Sequence, residues 1–127
     1  MTIPLTHAEL LAVANAPRQA GPCANCQAIA GEAWASLPAG FDEASLRLVG
    51  TLAEIEPENE PTLEEFHPHG TYLWSPEAPV ALRFHPYNRC TVHACQCGRP
   101  FLRYTEYGGY YIEPRIRALL PELIVVA

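Results

Sequence analysis

Two short cysteine motifs, Cys23-Ala-Asn-Cys26 and Cys95-Gln-Cys97, stand about seventy residues apart in a chain of 127. A fold that brings them together has to close a long loop, so these four residues constrain the architecture more than any other feature. The chain suits one small domain spanning residues 1–127, because a second core would starve both. Five cysteines is an odd number: a full disulfide framework leaves one thiol over, whereas a four-ligand metal site with a spare cysteine does not. No segment approaches the roughly 20 apolar residues of a membrane span. Met1 to Leu10 lacks the basic start and apolar run of a secretory signal. A cytoplasmic location is the expectation, and in a reducing compartment clustered thiols act as metal ligands or redox groups.

Structural zinc takes four ligands in a tetrahedron, and two ligands with two residues between them wrap the ion in a tight turn. Cys23 and Cys26 have that spacing. The second half offers Cys90, His93, Cys95 and Cys97 within eight positions. Cys95 and Cys97 are preferred, since a one-residue spacer puts both side chains on one side of an extended segment and Gly98 lets the backbone bend around the ion. Cys90 or His93 could replace one of that pair. Cys23-Ala-Asn-Cys26 resembles the first half of zinc-ribbon and zinc-knuckle proteins, and Cys95-Gln-Cys97-Gly98-Arg99 resembles the second, although the family pattern has two residues where this chain has only Gln96. The combination of Cys-x-Cys with Cys-x-x-Cys is also similar to the zinc centre of redox-regulated chaperones, where the pairs come in the opposite order and lie closer together. These resemblances imply a bound Zn2+ and name no activity. A thioredoxin-like site needs a strand entering the Cys23 motif, and Pro17 to Pro22 does not read as one. Buried, unliganded thiols are the plainer alternative.

Local patterns fill in the rest of an α+β domain: a small antiparallel sheet with short flanking helices, stapled by one structural zinc. Thr6 and Glu9 form a capping-box pattern, predicting a helix over His7 to Asn15. A second short helix is expected over Gln27 to Leu37. Leu46 to Ile55, Thr71 to Trp74 and Val80 to Phe84 read as strands, the last two separated by a proline-containing turn at 75–79. Phe101 to Tyr107 and Tyr110 to Glu113 flank Gly108-Gly109, predicting a hairpin in which Tyr107 faces Tyr110 and Thr105 faces Ile112. Pro114 is expected to open a helix through Leu120.

The net charge of -6 is unevenly spread, with eleven acids and two arginines in residues 1–82 against three acids and six arginines in residues 83–127. Overall acidity argues against nonspecific nucleic-acid binding. The asymmetry suggests pairing between the halves. Glu54 to Glu65, with six glutamates and no basic residue, reads as an exposed acidic loop. There is no lysine, the one hint of a high-GC bacterial source. Nothing in the sequence matches a phosphate loop, a nucleophile elbow or a zinc-protease helix. The leading expectation is a non-enzymatic binding or accessory protein, with a partner docking on the acidic loop or on the C-terminal hairpin. That hairpin carries Arg99, Arg103, Tyr104, Tyr107, Tyr110, Tyr111, Arg115 and Arg117; core packing by its aromatics and internal salt links by its arginines are the first reading of these residues, and a partner surface is the second. Two other functions stay open: a thiol redox sensor that releases zinc on oxidation, and a hydrolase using His67 or His69 on a second metal.

Overall fold

The computed structural model describes residues 3–17, 20–53 and 62–126. It is a mixed α/β fold whose centre is a five-stranded antiparallel sheet. The strands are β1 (Ala35–Ser36), β2 (Arg47–Thr51), β4 (Thr91–Ala94), β5 (Pro100–Tyr107) and β6 (Ile112–Ala118), in the order β1-β6-β5-β4-β2. A separate parallel pair joins β3 (Val80–Ala81) to β7 (Ile124–Val125). One α-helix, α1 (His7–Ala14), is present among the described residues, and the other helical pieces are single 3-10 turns. No helix among those residues is long and apolar enough to cross a membrane.

The capping box forms as the sequence predicts. Thr6 Oγ1 accepts from the Glu9 backbone N–H at 3.1 Å, and Glu9 Oε1 accepts from the Thr6 N–H at 3.0 Å. Leu10 and Ala14, one turn apart, are the buried face of α1.

Both faces of the sheet carry a core, which follows from the period-two alternation of β5 and β6. Leu102 and Tyr104 face one way and pack with Leu10, Ala14, Trp34, Tyr87, Cys90 and Val92. Phe101, Ile116 and Ala118 face the other way and pack with Ile29, Leu46 and three of the clustered cysteines.

Four expectations need correction. The segment Gln27 to Leu37 is not a helix: it makes a 3-10 turn at Gln27–Ile29 and then β1. Its backbone is spent on the edge of β6, with Gly31 O accepting from Ala118 N at 3.1 Å and Leu37 N donating to Pro114 O at 2.8 Å, while Trp34 is driven into the core edge-on to Tyr104. Thr71 to Trp74 forms turns, and only Val80–Ala81 of the next expected strand pairs, with the unanticipated β7. Pro114 to Leu120 is mostly strand β6 rather than helix. A residue's N and C=O point to the same side of a strand, so the ring nitrogen of Pro114 faces the β1 side with its carbonyl, and no hydrogen bond to β5 is lost.

The hairpin exists, but its register is two residues away from that expected: Tyr107 faces Ile112 and Thr105 faces Pro114. Gly108 N donates to Tyr111 O at 2.9 Å, which centres the turn on Gly109-Tyr110. Gly108 supplies space rather than an unusual dihedral, since a Cβ there would sit 2.5 Å from the Tyr111 ring.

The strand read over Leu46 to Ile55 appears as β2, with a bulge between Leu48 and Gly50 that accounts for its broken alternation. Residues 54–61, most of the expected acidic loop, lie outside the described residues.

Candidate metal centre

The Cys23 motif is a turn, closed by Cys26 N donating to Cys23 O at 3.2 Å and continued by Ile29 N donating to Cys26 O at 3.0 Å. Cys95 and Cys97 sit in the β4–β5 connection. There Gly98 N donates to Cys95 O at 2.8 Å and Cys95 N donates to Arg99 O at 2.9 Å. Gly98 has φ +92°, the left-handed region that favours glycine, so its predicted role in bending the backbone matches what is seen. The two sulfurs converge because of this turn, not because of the extended spacing first expected.

The structure brings together Cys23, Cys26, Cys95 and Cys97, whose sulfurs all lie within 4.8 Å of one another. Nearest separations are 3.5 Å for Cys23–Cys95, 3.7 Å for Cys23–Cys26 and 3.7 Å for Cys26–Cys97. Such a group of thiols could hold a metal ion. Cys26, Cys95 and Cys97 are buried at 0%, 4% and 6% exposure, while Cys23 is partly exposed. Backbone N–H groups, that of Cys26 foremost, hold the Cys23 thiol down at about 6, in the range where it is a thiolate at neutral pH. Burial pushes Cys26 up to about 12. Burial also opposes ionisation of Cys97, but hydrogen bonds led by the Arg99 backbone N–H outweigh it and leave that thiol lowered.

One neighbour was not anticipated. Asn25, inside the first motif, donates its Nδ2 to Cys95 Sγ at 3.5 Å and to Ser45 Oγ at 3.1 Å. Ser45 Oγ in turn donates to Asp42 O at 2.7 Å. An amide between two cysteines was the available signal, because metal ligands need outer groups that orient them.

The two alternative ligands are elsewhere. Cys90 is fully buried in the opposite core, with its thiol donating to Pro86 O at 3.3 Å. His93 shares a 2.9 Å hydrogen bond with Thr91 Oγ1. Strand alternation separates them: Cys90, Val92 and Ala94 point one way, Thr91 and His93 the other.

His67 Nε2 contacts Glu65 Oε1 at 2.6 Å, and neither His67 nor His69 joins a group of metal-ligating side chains among the described residues. The hairpin arginines turn inward. Arg117 is fully buried and donates to Tyr87 Oη and to the carbonyls of Glu32, Pro76 and Ala78. Arg115 donates to Glu113 and to Tyr104 Oη, each at 2.7 Å, and lies 4.6 Å from the centre of the Trp74 ring. Arg103 pairs with Glu43, the one ion pair between the two halves of the chain among the described residues. Tyr107, Tyr110, Tyr111 and Ile112 are exposed.

Comparison of the chain with protein-family models, curated proteins and solved structures finds no match.

Proposed function

We propose that Cys23, Cys26, Cys95 and Cys97 hold one structural zinc ion, and that the chain is a non-enzymatic binding or accessory protein working in a reducing, cytoplasmic setting. The observation that carries this is the sulfur spacing. Zinc–sulfur bonds of 2.3 Å in a tetrahedron put the sulfurs about 3.8 Å apart. Three of the six pairs here are 3.5 to 3.7 Å apart and all lie within 4.8 Å, so an ion fits once the wider pairs close by up to about 1 Å. Four protein ligands fill a tetrahedral site and leave no open position for substrate or water, the arrangement of structural rather than catalytic zinc. The all-sulfur donor set favours zinc over the hard cations, which take oxygen.

The surface offered to a partner is narrower than the sequence suggests. With Arg115 and Arg117 engaged inside the molecule and Arg103 paired with Glu43, the hairpin's share of that surface is its tip, where Tyr107, Tyr110 and Ile112 are 75%, 103% and 70% exposed, and the acidic loop stays the other candidate. Aromatic side chains at that exposure supply contact area at low entropic cost.

Native mass spectrometry and elemental analysis of protein purified without chelators test the centre. One zinc per chain is expected, lost when Cys26 or Cys97 is changed to serine. Folded protein free of metal sinks the proposal, and two metals per chain would instead favour a second site at His67 and His69.

A further inference from the structure

We infer that Cys23 is a redox-modification site at which a hydroperoxide exchanges the metal staple for a Cys23–Cys95 disulfide. This rests on the metal centre proposed above and deepens it. Three observations carry it. Cys23 is the partly exposed member of a group whose other sulfurs are buried, so a small oxidant in solvent reaches it first. Its nearest neighbouring sulfur is that of Cys95, at 3.5 Å, which has to close by about 1.5 Å to reach the 2.05 Å of a disulfide. Asn25 Nδ2 holds Cys95 Sγ in place beside Cys23. Cys26 is less favoured: its sulfur lies farther from that of Cys23, at 3.7 Å, and is also engaged with Cys97.

The chemistry balances with the hydroperoxide as the only oxidant. The Cys23 thiolate attacks the terminal oxygen, an S–O bond forms, and the O–O bond breaks with its electron pair leaving on alkoxide or hydroxide. The Cys95 thiolate then attacks the sulfenyl sulfur of Cys23, the S–S bond forms and hydroxide departs. Two thiolates are oxidised, one peroxide is reduced, and the metal, left with two thiolates, dissociates as the divalent ion. The new bond joins the same two segments that the metal joined, so the fold stays closed after the ion is gone.

The test uses wild-type protein whose zinc content is measured first. Zinc-loaded protein is titrated with hydrogen peroxide, released zinc is followed with a chromophoric chelator, and linked peptides are mapped by mass spectrometry without reduction. One zinc released per Cys23–Cys95 crosslink is expected, reversed by thiol and added zinc and unchanged in Cys90→Ser. The oxidised, metal-free form should melt within about 5 °C of the zinc form, because a crosslink of the same loop length is retained. A Cys23–Cys26 or Cys26–Cys97 linkage, oxidation without a crosslink, or retention of zinc under peroxide each overturns the inference while leaving the metal centre intact. A folded chain with no zinc at the outset overturns the centre itself and this inference with it.

Discussion

Removing the metal should cost more stability than almost any single surface substitution, and the size of the effect follows from the loop that the ion closes. Cys23 and Cys95 are 72 residues apart. With the ion still bridging both segments in the unfolded chain, the chain-entropy relation for a crosslink of that span gives about 4.4 kcal/mol at 25 °C, a large share of the 5–15 kcal/mol that holds a domain together. Unfolding entropy near the midpoint is about 2.1 cal/mol/K per residue, so 127 residues give about 270 cal/mol/K and the loss corresponds to a fall in Tm of about 16 °C. Scanning calorimetry before and after a strong chelator, with reductant present and metal loss verified by elemental analysis, measures the shift. A fully stripped protein that melts within about 3 °C of the untreated one refutes the argument, because the ion would then be closing no loop that the packing had not already closed.

Other perturbations separate the two cores. Arg117→Met keeps the buried stem but strands the carbonyl of Ala78 and weakens the hold on Tyr87, Glu32 and Pro76; urea unfolding should show a loss of about 2–4 kcal/mol with zinc content unchanged. Asn25→Ala removes the amide from Cys95 Sγ and should weaken zinc retention against a competing chelator by about 10- to 100-fold. Burial lowers the His85 imidazole below its ordinary 6.5, so the folded state refuses a proton that the unfolded chain accepts. Its contribution to stability is complete above pH 6.5 and is lost as pH falls, and His85→Asn should flatten that decline in denaturant midpoints. Tyr110→Ser, at a fully exposed position, should leave Tm and zinc content unchanged, with stability within about 0.5 kcal/mol of wild type.

The parts of this fold legible in the sequence are those decided by few neighbours. The α1 start was readable because a capping box is closed by residues three apart, and the four cysteines because two short cysteine motifs stand out in a chain with one other cysteine. The misread parts are decided by distant strands. Pro114 is a good helix starter in isolation and an equally good strand residue once its nitrogen faces a short edge, and nothing local distinguishes the two. Gly108-Gly109 marks a turn, but the register is set by what Leu102 and Tyr104 find opposite them in the core, Arg117 and Arg115. That the hairpin arginines turn to internal partners is legible from the charge asymmetry, but which partners is not. Their burial depends on carbonyls of the 32 and 76–78 segments and on the Tyr87 and Tyr104 hydroxyls, which no sequence window contains.

The two faces of the sheet also explain why a chain of this size would use an ion. One face is covered in the usual way, by α1 and a group of large side chains that includes Trp34, Tyr87 and Tyr104. The other has no α-helix among the described residues to lay against Phe101, Ile116 and Ala118; its cover is the short Cys23–Ile29 segment, with Leu46 and the partly buried Leu37 and Phe41 alongside. A short segment gains little apolar burial against the entropy of ordering it. In the proposed centre, a metal bond from that segment to the β4–β5 turn would add to what packing supplies. On this argument the Cys23 segment should be the first part of the molecule to open when the ion leaves. Amide exchange should rise at 23–30 and 95–99 in stripped protein well before it rises around Leu102 and Val92, and equal protection of both cores would show that the cover holds without its staple.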